Sequence, residues 1–167
     1  MTAHNAQLPK EDYGRALKLA ESFNVRAAAR PNRRVKAVLK DAIGFMHGFA
    51  KDVAAGATIE SGSAWSGPDV FLDKAAAVQT AREKSRIAYL TGDVGLTLPQ
   101  QDMQKLSDIR KAFKLSSDKQ AAALSLRVYD RVADGLWRGN GFSIVDAAGA
   151  DKPLDTAKIR SLIERRI

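Results

Sequence analysis

The sequence predicts a mainly helical protein made of two copies of one strand–helix–helix unit in a single chain. Leu8-Pro9-x-x-Asp12 and Leu98-Pro99-x-x-Asp102 each open a helical pattern that reaches a phenylalanine at the same offset, Phe23 and Phe113. At this spacing of 90 residues Tyr13 falls on Met103, Arg15 on Lys105, Leu19 on Ile109 and Val25 on Leu115. In a second helix the spacing is 83, so Ile43 falls on Leu126, Met46 on Tyr129, Phe49 on Val132, Val53 on Leu136 and Gly56 on Gly139. The slip between the spacings places a loop about seven residues longer in the first copy, near 27–33. A unit this small cannot bury its apolar face alone, so its twin is the natural cover.

The elements follow in order. Residues 2–8 are short and suit an extended segment. Leu8-Pro9 then marks a boundary, because a residue before proline avoids the helical region and proline suits a first helical turn. From Lys10 to about Val25 the apolar residues Tyr13, Ala16, Leu17, Ala20 and Phe23 recur at helical steps. A basic connector with Pro31 leads to a long helix from Arg33 to about Ala55, striped by Val35, Val38, Leu39, Ala42, Ile43, Met46, Phe49 and Val53 and stopped by Gly56. Thr58–Pro68 is rich in Gly and Ser and reads as a linker, and Asp69 to roughly Leu90 as an Ala-rich helix.

Val94-Gly95-Leu96-Thr97-Leu98 alternates as a strand does. Helix 100–114, the turn Leu115-Ser116-Ser117, and helix 118–138 come next, ended by Gly139-Asn140-Gly141. A short strand at 142–145 and a polar turn at 146–153 are expected, before a last helix capped by Asp155 with Ile159, Leu162 and Ile163 inward. The expected organisation is residues 1–60 as the first unit, 61–92 as linker and helix, 93–145 as the second unit, and 146–167 as a terminal turn and helix.

Composition narrows the function. The chain has 167 residues, 45% apolar and 28% charged, as an ordinary globular protein does. Its 27 Lys and Arg against 19 Asp and Glu leave a formal charge of +8, which favours a polyanionic partner and above all nucleic acid. No cysteine is present, which excludes a disulfide framework and thiolate metal sites. No apolar run is long enough to span a membrane, and the first residues lack the pattern of a signal peptide, so a cytoplasmic location is expected.

The order strand, Leu-Pro, helix, tight Ser-containing turn and longer helix resembles the ribbon-helix-helix family of DNA-binding proteins. Residues 94–99, helix 100–114 and Leu115-Ser116-Ser117-Asp118-Lys119 carry the resemblance. Two strands of that family pair into an antiparallel ribbon that enters the major groove. Its ordinary members are homodimers; two copies in one chain imply an intramolecular pseudo-dimer with one short ribbon. Over roughly residues 3–145 this is similar to the single-chain double type that enhances T-DNA transfer. The resemblance implies double-stranded DNA as partner, no cofactor and no catalysis. It also implies an accessory role in plasmid or T-DNA processing, with a protein partner in the nucleoprotein complex and further association of the pseudo-dimer both open. A transcriptional repressor on the same scaffold is the alternative, and a helical adaptor for an acidic protein is the rival from another class.

In such a ribbon Val94, Leu96 and Leu98 point inward and Asp93, Gly95 and Thr97 outward. Thr97 is the one plausible reader there, and the first copy presents Asn5 and Gln7, whose amides suit adenine. The alternative is a terminus that frays or serves only structure. In the family the amino end of the second helix meets the DNA backbone, where unpaired N–H groups suit an anion. The first copy surrounds that point with Arg26, Arg30, Arg33, Arg34 and Lys36. The second has Lys111, Lys114 and Lys119, with Ser116 and Ser117 as hydroxyl donors. Basic residues at a helix start oppose its dipole, so structural preference alone does not explain them. His4 and His47 lie far apart in sequence with no carboxylate at ligand spacing. Trp65 and Trp137 fit sealing roles better than base stacking.

Overall fold

The computed structural model describes residues 4–23, 25, 29–60, 88, 90–137 and 141–164. The elements run β1 (His4–Leu8), α1 (Lys10–Ser22), α2 (Pro31–Ala54), β2 (Thr58–Glu60), β3 (Val94–Leu98), α3 (Gln100–Ala112), α4 (Asp118–Trp137), β4 (Ser143–Val145), β5 (Asp151–Pro153) and α5 (Ala157–Glu164). The protein is mainly helical. Among the described residues no helix is long and apolar enough to cross a membrane. Most of the expected helix at 69–90, Trp65 and most of the Gly139-Asn140-Gly141 stop lie outside the described residues; residues 88 and 90 are described and are not helical.

The Leu-Pro boundaries act as the chain chemistry requires. Pro9 (φ −56°, ψ 144°) and Pro99 (φ −58°, ψ 153°) are the N-caps of α1 and α3. Proline loses nothing there, since the first N–H groups of a helix have no partner within it. The Pro9 carbonyl accepts the Asp12 and Tyr13 N–H groups, and the Pro99 carbonyl those of Asp102 and Met103. Both helices stop at phenylalanine, Phe23 and Phe113, with closely similar dihedrals. The Val25 N–H then reaches back to the Ala20 carbonyl and the Leu115 N–H to that of Arg110, each at 2.8 Å. This is the reach of a Schellman ending, and it folds the partly buried Val25 and Leu115 onto the core. Lys114 takes the left-handed position such an ending requires, at φ 55°.

The long helices α2 and α4 pack together at the centre, with α1 and α3 each lying against both. The α2 residues Val38, Leu39, Ala42, Ile43, Met46, Phe49 and Ala50 are buried, as are Ala121, Ala122, Ser125, Leu126, Tyr129, Val132 and Ala133 of α4. These two sets are the same positions at the spacing of 83. β1 and β3 pair antiparallel in a two-stranded sheet whose inner residues Ala6, Leu8, Leu96 and Leu98 are buried in the same core.

A second sheet, in the order β2–β4–β5, was not expected. Thr58–Glu60 is a strand and not the start of a linker, pairing Thr58 with Val145 and Glu60 with Ser143. The supposed polar turn at 146–153 holds β5, which pairs with β4. Asp146 shapes the hairpin loop, its Oδ1 accepting the N–H groups of Ala148 and Ala150. Three-residue strands are too short to show a period, and the pairing that stabilises β2 is remote in sequence. The last helix follows expectation: the Asp155 carboxylate accepts the Ala157 N–H at 3.2 Å, and Ile159 is buried.

Gly135 in α4 meets the ring of Phe142, which leads into β4. A Cβ there would lie 2.4 Å from Phe142 Cζ. Replacing a mid-helix glycine by alanine ordinarily gains about 1 kcal/mol, whereas overpacking a buried ring costs about 1–3 kcal/mol. Gly135→Ala is therefore expected to lower stability in urea unfolding; a more stable variant would show that the ring yields freely.

Candidate nucleic-acid interface

The β1–β3 register pairs Asn5 with Thr97, Ala6 with Leu96 and Gln7 with Gly95. Alternation then sends Asn5, Gln7, Gly95 and Thr97 to one exposed face, and Ala6, Leu8, Leu96 and Leu98 to the core. Thr97 Oγ1 donates to Asn5 Oδ1 at 3.1 Å across the strands, which leaves the Asn5 amide nitrogen available as a donor. Opposite Gln7 the glycine leaves room: a Cβ at Gly95 would lie 3.3 Å from Gln7 Nε2. The face carries amides and a hydroxyl and no charged residue. Asp93, just ahead of β3, is held by Lys119 Nζ at 3.0 Å, which offsets its charge and ties the amino end of α4 to the ribbon.

The two second-helix starts differ. α2 begins at Arg30, which makes no side-chain cap, and its first turn has Pro31 and no acidic residue. No acidic residue of that turn offsets its positive dipole end. Arg30 and Arg33 are exposed and Lys36 is half-buried. Arg33, Lys36 and Lys40 border one shallow hollow of about 450 Å³ with Val25, Ala37 and Asp41. Lys40 belongs to this basic stripe and went unnoticed in the sequence; its place four residues after Lys36 was the signal. Arg34 has another task. Its Nε donates to the Val25 carbonyl at 3.1 Å and a terminal nitrogen to that of Ala20 at 3.3 Å, clasping the end of α1. Arg26 lies outside the described residues.

The start of α4 is closed by its own side chains. Ser117 Oγ accepts the Gln120 N–H at 3.2 Å, and Gln120 Oε1 accepts the Ser116 N–H at 2.9 Å, a reciprocal arrangement close to a capping box. Asp118 adds a negative charge to the first turn and pairs with Arg110 at 3.0 Å. Lys111, Lys114, Ser116 and Lys119 are exposed around this turn. Ser117 therefore serves its own helix, and of the two helix starts that of α2 is the one with no side-chain cap and no acidic residue in its first turn.

Behind the ribbon the first turns of α1 and α3 each bury an aspartate, Asp12 and Asp102. Asp12 receives both arms of Arg127 from α4, Nε to Oδ1 at 3.0 Å and Nη2 to Oδ2 at 3.1 Å. Burial pushes the Asp12 carboxyl above the usual carboxylate range, against the pull of Arg127 and Arg15. Arg15 and Lys18 both meet Asp130, at 3.0 and 3.6 Å. At the spacings of 90 and 83, Lys18 and Asp130 fall on Asp108 and His47. These pair at 2.9 Å with the acid on the opposite helix. The hydrogen bonds from His47 and then Gln104 hold the Asp108 carboxyl below its ordinary value. His47 is thus a structural partner joining α2 to α3. No family model, no curated protein and no solved structure matches this chain.

Proposed function

We propose that this chain binds double-stranded DNA without catalysis, as a single-chain ribbon-helix-helix pseudo-dimer whose β1–β3 ribbon enters the major groove. The observation that carries the reading is the ribbon register. Its central pair, Ala6 with Leu96, joins residues that are themselves 90 apart in sequence, as two copies related by a pseudo-twofold axis require. Support comes from matching proline caps, matching Schellman endings and the common burial pattern of α2 and α4. Asn5, Gln7 and Thr97 would face base edges, where Asn and Gln amides match the adenine donor–acceptor pair. Arg30, Arg33, Lys36 and Lys40, with Lys111 and Lys114, would meet phosphates, while Lys119 stays with Asp93. An accessory role in plasmid or T-DNA processing is the setting the family resemblance implies, and a repressor would use the same surface.

Fluorescence anisotropy with a pool of duplexes at two salt concentrations tests this. Affinity should fall steeply with salt, as counterion release demands. Arg30→Ala with Arg33→Ala should weaken binding to every duplex alike and flatten the salt slope by about two phosphates. Arg34 is unsuitable for that experiment, because it clasps α1. The triple variant Asn5→Ala, Gln7→Ala, Thr97→Ala should keep non-specific binding and lose sequence preference, each good contact being worth about 1–3 kcal/mol. A chain that binds no duplex at low salt would overturn the proposal.

A further inference from the structure

Asp102 stands at the position of Asp12 in the other half, and the two fare differently. Asp12 is 0% exposed and held by a bidentate guanidinium. Asp102 is 4% exposed, and its Oδ2 is buried with no hydrogen-bond partner among the described residues. A carboxylate taken out of water is ordinarily paired, and each unsatisfied one calls for a reason. The reason here is a missing side chain. Arg127 of α4 falls, at the spacing of 83, on Gly44 of α2. Gly44 is exposed, and none of the described residues lies within 4 Å of where its Cβ would be. Asp102 and Gly44 line one cleft of about 800 Å³, together with Phe45, Lys105, Tyr129 and Leu154. That volume is ample for a small ligand.

Two other acids of the cleft are paired, while Lys40 and Lys105 line it with no ion pair among the described residues. Asp41 and Asp52, also on the cleft wall, pair with Lys158 at 2.6 Å and Lys152 at 3.4 Å. Asp102 is left over. Phe45 and Tyr129, with ring centroids 5.8 Å apart, form an aromatic part of the wall. A guanidinium is planar, weakly hydrated and suited both to a buried carboxylate and to aromatic faces, whereas an ammonium is compact and strongly hydrated.

We propose that this cleft is a binding site for a guanidinium group supplied from outside the chain, which takes against Asp102 the place that Arg127 takes against Asp12. The cleft shares Lys40 and Asp41 with the basic hollow of α2, but its probes contain no nucleic acid, so either reading can fail alone. Calorimetric titration of the full chain at constant ionic strength tests it, with agmatine as a free small molecule and N-acetyl-arginine amide as an arginine side chain of a partner. The tighter of the two identifies the source. Saturable binding is expected, at least tenfold tighter than that of butylammonium. Asp102→Asn should weaken it at least tenfold. Gly44→Arg, which supplies the guanidinium from within, should abolish it and raise the melting temperature by several degrees. Absence of saturable binding to the unaltered chain, or binding that Gly44→Arg leaves intact, would overturn the assignment.

Discussion

Arg127→Ala is expected to destabilise the protein by about 3–5 kcal/mol, the usual loss when one partner of a buried ion pair is removed. At about 2–4 °C per kcal/mol for a chain of this size, the melting temperature should fall by roughly 6–20 °C. The size of the effect comes from what remains. Asp12 is wholly buried, and without Arg127 its nearest cation is Arg15 Nε at 3.6 Å. Surface pairs such as Lys152 with Asp52 should be worth no more than about 1 kcal/mol by comparison.

The deficit should also depend on pH. Burial already raises the Asp12 carboxyl, and removing Arg127 removes the largest opposing influence. The folded variant then holds a proton that the unfolded chain has released, so its stability falls as pH rises from the ordinary carboxylate value through the raised one. Urea unfolding between pH 4 and 7 should show a gap to the parent protein that is smallest in acid and widens towards neutrality. A second variant, Asp12→Leu with Arg127→Leu, should recover much of the loss, since a well-packed apolar pair often equals a buried ion pair. If Arg127→Ala costs under about 1 kcal/mol at neutral pH, the ion pair does not hold α1 to α4.

Leu98→Ala is the second large effect, expected at about 2–5 kcal/mol. Leu98 is 1% exposed and belongs to the inner face of the ribbon. Its neighbour Thr97 is exposed on the other face, so Thr97→Ala should change stability by no more than about 0.5 kcal/mol. Adjacent residues of one strand would thus differ several-fold. The comparison measures whether the ribbon is anchored on the helices or merely lies on them. Equal effects of the two substitutions in chemical denaturation would mean that the ribbon detaches before the core melts. The same pair separates fold from function, because only the outer residue touches DNA in the proposed complex.

Much of this fold was legible from residue pattern alone. The four long helices were expected within a few residues of their observed ends, because three- and four-residue apolar steps over many turns leave little choice of period. Proline at positions 9 and 99 and glycine at 56 marked boundaries for the steric reasons that hold in any chain. The Val94–Leu98 strand was visible through its alternation, and its partner only through the repeated Leu-Pro, since Ala6 is the weakest of apolar residues. β2 and β5 were invisible. Each is three residues long, and what stabilises it is hydrogen bonding to β4, far away in the chain for β2 and across a turn for β5.

The candidate interface divides along the same line. Which residues could read bases or hold phosphates depends on side-chain chemistry and spacing, and Asn5, Gln7, Thr97, Arg30, Arg33 and Lys36 were chosen on that basis. Whether a given side chain is available is a matter of its neighbours. Arg34 is engaged with the carbonyls of Ala20 and Val25, Ser117 with the Gln120 N–H, and Lys119 with Asp93. Local pattern sets helix, strand and turn because their energies are contained within a few residues. Pairing of Asp12 with Arg127, the opposed His47 and Asp108, and the unanswered carboxylate of Asp102 all arise between residues distant in sequence. Only the packed chain brings such groups within the few ångströms over which their interaction is felt.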